Sequence, residues 1–409
     1  MHTVVLRKCV EMNKLSILVV SDLHVGTSHE HELDTKLIVN GTPNIYGQAL
    51  IEYLKQLERK IDILVCAGDI GNKGCKETFK AGWSFLNTLA SELSIDDVLC
   101  VPGNHDHQSR PSDESNPSGF SPKHELQFTD PPFPFNDYYK NTHFWAWNWE
   151  LTQSENYNCI SINSSAYHGF GSEFRHGRVA LEVSKQIKDR LSQEDVKSKP
   201  LNLLICHHHP QKMDYVDVSY DGEAMEGADY LLSNIEAADI GPWLIIHGHK
   251  HYATISYGNS RTSTPPTILS AGSLSAVLYD SIDSRTSNQF YLLEIDIDKS
   301  SQNGKVVGRF ETYESNKLHQ WQPSKSHNLP ACGGFGSLYT PEQILNHLKS
   351  KINESNSFLE GDELNEFRDK IFNLPPFEFK RLEKLLEKNG FMISREFSGE
   401  ITEVGKRYE

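Results

Sequence analysis

Five times along this chain a short apolar run ends in a cluster of Asp, Asn or His. Leu15–Val20 leads into Asp22-Leu23-His24, and Ile61–Ala67 into Gly68-Asp69. Val98–Val101 precedes Gly103-Asn104-His105-Asp106, Leu201–Cys206 precedes His207-His208-His209-Pro210, and Trp243–Ile246 precedes Gly248-His249-Lys250-His251. Runs of this length and Val/Ile/Leu content predict strands buried on both faces. In open α/β sheets, ligands collect at the carboxyl ends of the strands. The pattern therefore predicts an α/β fold with one polar edge.

The residues at that edge are carboxylate, carboxamide and imidazole, the donors that hard and borderline divalent metals take. Cysteine is absent from all five motifs, which argues against a structural zinc site. Asp22 and His24 lie two apart, as do His249 and His251. In an extended segment such pairs point the same way. Gly68, Gly103 and Gly248 are expected to let the chain turn sharply after its strand. Asp106 is expected to orient its neighbours, and His107, His143 and His168 to be surface or hydrogen-bonding residues.

In order and composition the five motifs resemble the calcineurin-like metallophosphoesterase superfamily, over Leu15 to Gly272. The resemblance implies a four-layer αββα sandwich holding two divalent metal ions, manganese foremost, with iron, zinc or magnesium as alternatives. It implies Asp22, His24 and His251 as ligands of the first metal and Asp69 as the bridge. Asn104, His249 and one histidine of the 207–209 run hold the second. Counting back from Pro210 gives His208, with His207 as its rival. His105 resembles the non-ligand histidine that protonates the leaving oxygen. The implied reaction is attack of a metal-activated hydroxide on a phosphate ester. A strand at Ile160–Asn163, Gly177 and a helix at Leu181–Leu191 precede the histidine run, in an order similar to the cyclic-nucleotide phosphodiesterase branch.

Composition narrows the partners. A net charge of −15 over 409 residues disfavours nucleic acid and anionic membranes. Apolar stretches are too short to span a bilayer, the start lacks a secretion signal, and the seven cysteines read as reduced thiols. A cytoplasmic protein is expected. The leading function is hydrolysis of a phosphodiester, a cyclic nucleotide or another nucleotide. A metal-dependent nuclease acting on DNA or RNA is the variant. An inactive binding or signalling protein on the same fold is the rival class, disfavoured because Asp69, Asn104 and His105 are all present.

Leu50, Tyr53, Leu54 and Leu57 form one helical face, and Phe79–Leu93 a second helix. Gln108–Pro134 reads as a loop, either a lid or a solvated insertion. Trp145, Trp147 and Trp149 alternate as on a strand, for core packing or for stacking a base. Arg175 and Arg178 are surface residues or phosphate contacts. Pro266–Ser270 and Gln289–Ile295 are expected to close the second sheet. The domain expected over 1–315 ends at a Pro/Gly-rich linker, 316–337. Residues 338–409 read as a small helical module able to bind a protein partner, opened by Thr340-Pro341 and with a later helix stopped at Asn389-Gly390.

Overall fold

The computed structural model describes residues 13–27, 34–39, 44–109, 121–169, 176–213, 224–259, 264–278, 280, 282–326, 328–352, 357–396, 399 and 401–407. Arg175 and residues 110–120 of the expected loop lie outside them.

The five apolar runs are strands. They are β1 (Lys14–Val20), β2 (Ile63–Cys66) and β3 (Asp97–Cys100), followed, after β4 (Trp149–Gln153) and β5 (Tyr157–Ile162), by β6 (Leu201–Ile205) and β7 (Trp243–His247). Next come β8 (Thr254–Tyr257), β9 (Thr267–Ser270), β10 (Gln289–Asp296), β11 (Gly308–Ser315), β12 (Trp321–Pro323) and β13 (Cys332–Phe335). One sheet has the order β12-β11-β10-β1-β2-β3, with β13 also paired to β11. The second has the order β4-β5-β6-β7-β9-β8.

Alternation along each strand builds the layers. Ile17, Val19, Ile63 and Val65 of the first sheet meet Leu203, Ile205, Leu244 and Ile246 of the second in the central core. Leu18, Val20 and Leu64 face the other way, under the helices Ile45–Gln56 and Lys76–Glu92. Leu204 and Ile245 face the helices Leu181–Leu191 and Ala228–Ala237. The fold is thus the four-layer αββα sandwich, and both faces of each central strand are apolar because both are covered. β1, β2 and β3 run parallel, as do β5, β6, β7 and β9. Parallel order brings the ends of β1, β2, β3, β6 and β7 to one edge.

Four expectations change. Trp145 lies in a helix, Tyr138–Trp147, which Asn148 terminates in the left-handed conformation at φ 63° before β4 begins at Trp149. Trp145 and Trp149 are core residues of different layers, whereas Trp147 is half exposed. A two-residue spacing read at only three positions spans a helix end and a strand start equally well. β10 joins the first sheet, antiparallel to β1, and not the second. Both of its faces are apolar, so its sequence fits either sheet and long-range pairing decides. Residues 316–337 are no free linker: β12 and β13 both pair with β11, and Trp321, Leu329 and Phe335 are buried.

The C-terminal module is mixed α/β rather than helical. Helices Pro341–Lys351, Asn365–Phe372 and Pro376–Lys388 pack on an antiparallel sheet of β14 (Phe358–Glu360), β15 (Phe391–Arg395) and β16 (Ile401–Lys406), in the order β14-β16-β15. Thr340 and Gln343 form a capping box with Pro341 at the helix start. Strands this short carry too few residues to show a period. The helix Pro376–Lys388 lies against β8. Beside it, Lys305 Nζ sits 3.5 Å from the Tyr257 ring centre and donates to the Ser337 carbonyl at 3.0 Å.

Candidate metal centre

Each of the five strands delivers its polar residues to the common edge, and backbone hydrogen bonds tie the turns together. The Asp22 N–H donates to the Gly68 carbonyl at 3.0 Å, and the His24 N–H to that of Asp69 at 2.9 Å. The Gly248 N–H reaches the His207 carbonyl at 3.0 Å. Asp106 joins two further turns: its carboxylate accepts from Gly71 N–H at 2.6 Å and Gly103 N–H at 2.8 Å.

The pairs Asp22/His24 and His249/His251 are not extended. φ is 51° and 47° in the first pair and 75° and 53° in the second; Asp69 stands at 51°. Five non-glycine residues in the left-handed region at one edge is backbone strain gathered at a site. Only Gly68 (φ 97°) needs glycine's freedom to turn; a Cβ on Gly248 would fall 2.4 Å from the Asp22 carboxylate.

The side chains converge in two groups. Donor atoms of Asp22, His24 and His251 lie within 4.8 Å of one another, as do those of Asp22, Asp69 and His207. His251 Nε2 is 3.3 Å from Asp22 Oδ1, and His24 Nε2 is 3.5 Å from Asp69 Oδ2. On the other side of Asp69, His207 Nε2 lies 3.2 Å from Asp69 Oδ2 and 3.0 Å from Asn104 Oδ1. His249 Nδ1 is also 3.0 Å from Asn104 Oδ1. Asp69 therefore stands between the groups. The set fits divalent cations: it is all oxygen and imidazole nitrogen, and His24 Nε2 is buried with no hydrogen-bond partner among the described residues.

The histidine run separates by its hydrogen bonds. His207 Nδ1 is 2.8 Å from the Ala67 carbonyl, which can only accept. Nδ1 therefore always holds a proton, and Nε2 faces Asn104 and Asp69, to which it donates while the imidazole is charged and where a metal would replace that proton. A histidine bound to a metal is commonly fixed this way, through its other N–H. His208 turns aside, with Nδ1 2.9 Å from Ser164 Oγ. His209 is buried, its ring stacked 6.0 Å from that of His249.

His105 packs edge-on to His24 at 4.5 Å between ring centres, and its backbone N–H donates to Asp69 Oδ1 at 2.7 Å. A ring nitrogen of His105 also lies within 4.8 Å of donor atoms of His24 and Asp69. His107 and His168 are buried rather than exposed; His107 Nδ1 meets the Gly103 carbonyl at 2.9 Å and His168 Nδ1 meets Ser109 Oγ at 3.1 Å. His143 lies 2.8 Å from Glu150. Arg178 pairs with Glu226 at 2.7 Å. Ser164 has no signal in the sequence, where it is one serine among several.

Electrostatics sorts the protonation states. Burial works against charge on Asp69, but His207 and its neighbours hold the carboxyl well below the usual range; burial likewise opposes Asp22, which His251 lowers. Burial lowers His24 to about 3 and lowers His105, His208 and His249 as well, leaving neutral imidazoles. His207 is the exception. Burial opposes its charge too, yet Asp69 and Asp22 lift it to about 9. Burial, then Asp69, raises Asp106 to about 7.

Among known proteins, no curated sequence matches the chain. Solved structures with a similar arrangement include a purple acid phosphatase, PPD1, from yellow lupin seeds (TM-score 0.45, 13% identity, 74% of this chain). The chain spans about half, 52%, of that protein. A dimetal phosphatase from Danio rerio gives TM-score 0.40 and 14% identity over 69% of this chain and 94% of its own. A putative 5'-nucleotidase from Staphylococcus aureus gives 0.36 and 11% over 91% and 59%. The family model for calcineurin-like phosphoesterases matches residues 15–253, which hold all five motifs. On that match the chain belongs to the calcineurin-like phosphoesterase family.

Proposed function

We propose that this protein is a metal-dependent hydrolase of phosphodiester bonds, with a cyclic nucleotide or another nucleotide as substrate. One observation carries the reading: Asp69 lies between a group of Asp22, His24 and His251 and a group of Asn104, His207 and His249. Asp22, His24, His251 and Asp69 would hold one divalent ion, and Asp69, Asn104, His207 and His249 the other. His207 takes the place that counting back from Pro210 gives to His208, because Nε2 of His207 faces the other donors and has a lone pair for a metal once its proton leaves. Bound there, two such ions, manganese foremost, supply Lewis acidity and an activated water.

The chain's own residues do the rest. Asp22 and Asp69 stay ionised and bring negative charge to the cations, and neutral His24 and His249 offer lone pairs. His105 is partly exposed, and the Asp69 carboxylate beside it favours the imidazolium that burial disfavours; that charged form would give its ring proton to the leaving oxygen. Asp106 keeps the turns of Asp69 and Asn104 in register through Gly71 and Gly103. The order of β5, Gly177, the helix Leu181–Leu191 and the histidine strand β6 is similar to that of the cyclic-nucleotide phosphodiesterase branch, which supports a diester over other esters. The net charge of −15 weighs against a nuclease.

A panel of cyclic mononucleotides, cyclic dinucleotides, DNA, RNA and a nitrophenyl diester, with purified protein and Mn²⁺, tests the reading. Asp69→Asn is the control. Turnover of a diester that vanishes in the variant supports the reading; equal turnover in both proteins overturns it.

A further inference from the structure

Ser164 settles where His208 carries its proton. Its Oγ accepts from the backbone N–H of His207 at 3.2 Å and of His208 at 3.1 Å. Those donors occupy both lone pairs of the hydroxyl. Its single hydrogen then points to His208 Nδ1, 2.9 Å away. Nδ1 is the acceptor, so the neutral imidazole keeps its hydrogen on Nε2. In this tautomer neither nitrogen has a lone pair left for a metal.

The Nε2–H group is a donor with no acceptor among the described residues: it is buried and makes no hydrogen bond with them. The ring around it is fixed. The His249 ring lies 4.4 Å away, that of His207 5.1 Å and that of His168 5.2 Å, between centres. On another side the Gly177 backbone is so close that a Cβ there would fall 2.3 Å from His208 Cγ. Buried donors in folded proteins have partners. An oriented donor set against two candidate ligand imidazoles calls for an anionic oxygen.

We propose that His208 donates a hydrogen bond, from Nε2, to a phosphoryl oxygen bound beside His207 and His249, and that it is not a metal ligand. The phosphoryl identity rests on the phosphoesterase reading; the donor role rests on Ser164. Phosphate would find the hydrogen already in place, a preorganised contact on one side of the site.

The test uses the zinc-loaded full chain and inorganic phosphate, with His208→Phe and His208→Gln, whose amide can replace the Nε2–H. Calorimetry should show phosphate binding about tenfold or more weaker in the Phe variant, largely restored in Gln, with zinc content unchanged in both. In the wild-type protein, ¹⁵N-histidine NMR should show His208 protonated at Nε2 and bare at Nδ1, with the Nε2 signal moving on phosphate addition. Loss of zinc in both variants, unchanged phosphate affinity, or a proton on Nδ1 would each overturn the proposal. Phosphate binding that depends on His208 in a protein without esterase turnover would overturn the enzyme reading and leave this one standing.

Discussion

His207 Nε2 lies 3.0 Å from Asn104 Oδ1, although the two residues are 103 positions apart in the chain. The contact joins the ends of β3 and β6, strands of different sheets, and it fixes which histidine of the run faces the site. His207→Ala should therefore remove one of two bound metals and nearly all turnover. His208→Phe should keep both. Metal counting by mass spectrometry on the purified variants checks this, and the opposite pattern would restore His208 as the ligand.

His105→Ala should retain two metals and lose turnover by roughly 10²–10⁴-fold on an alkyl diester. The loss should shrink for a nitrophenyl diester, whose leaving group needs no proton. The donor atoms of His105 lie close to those of His24 and Asp69, so metal content is the deciding measurement. A variant holding only one metal would make His105 a ligand.

Metal uptake should depend on pH through His207. Its imidazole, lifted to about 9, is protonated near neutrality, and a metal at Nε2 must displace that proton. Affinity at this position should climb about tenfold per pH unit below pH ~9 and level off above. Calorimetric zinc titrations in buffers of different ionisation enthalpy would count the proton released. The metal-free protein should show the linked effect in stability. The raised pKa contributes stability that is fully present below the unfolded value of about 6.5. It is lost as pH rises through the folded value of about 9.

Gly177→Ala should disturb the site from behind. Its Cβ would stand 2.3 Å from Cγ and 2.6 Å from Nδ1 of His208, so the ring must shift off Ser164. A cost of about 1–3 kcal/mol is expected for an overpacked core position, read by denaturant unfolding. Unchanged stability would mean that the His208 ring moves freely.

The C-terminal module can be removed only at the right place. A chain ending near Tyr313 loses β12 and β13 with buried Trp321, Leu329 and Phe335, each worth about 1.5–3 kcal/mol. It should not fold. A chain ending at Ser337 keeps those strands and should hydrolyse a simple diester. Soluble protein and turnover from the shorter chain would contradict the role given to β12 and β13.

Much of this protein is legible in its residues. The five apolar runs and their polar ends locate the strands, the edge and the candidate donors, because a parallel strand buried on both faces has a local signature. The helix Leu181–Leu191 has the bounds expected from the sequence. What the residues do not reveal is whatever depends on partners far along the chain. β10 looks the same for either sheet, and the pairing of β12 and β13 with β11 is invisible in a Pro/Gly-rich stretch. The choice between His207 and His208 cannot be made by counting, since adjacent residues differ in direction and not in chemistry. Only the tertiary structure brings Ala67, Asn104 and Ser164 to those rings, and hydrogen bonding to them decides which nitrogen keeps a lone pair.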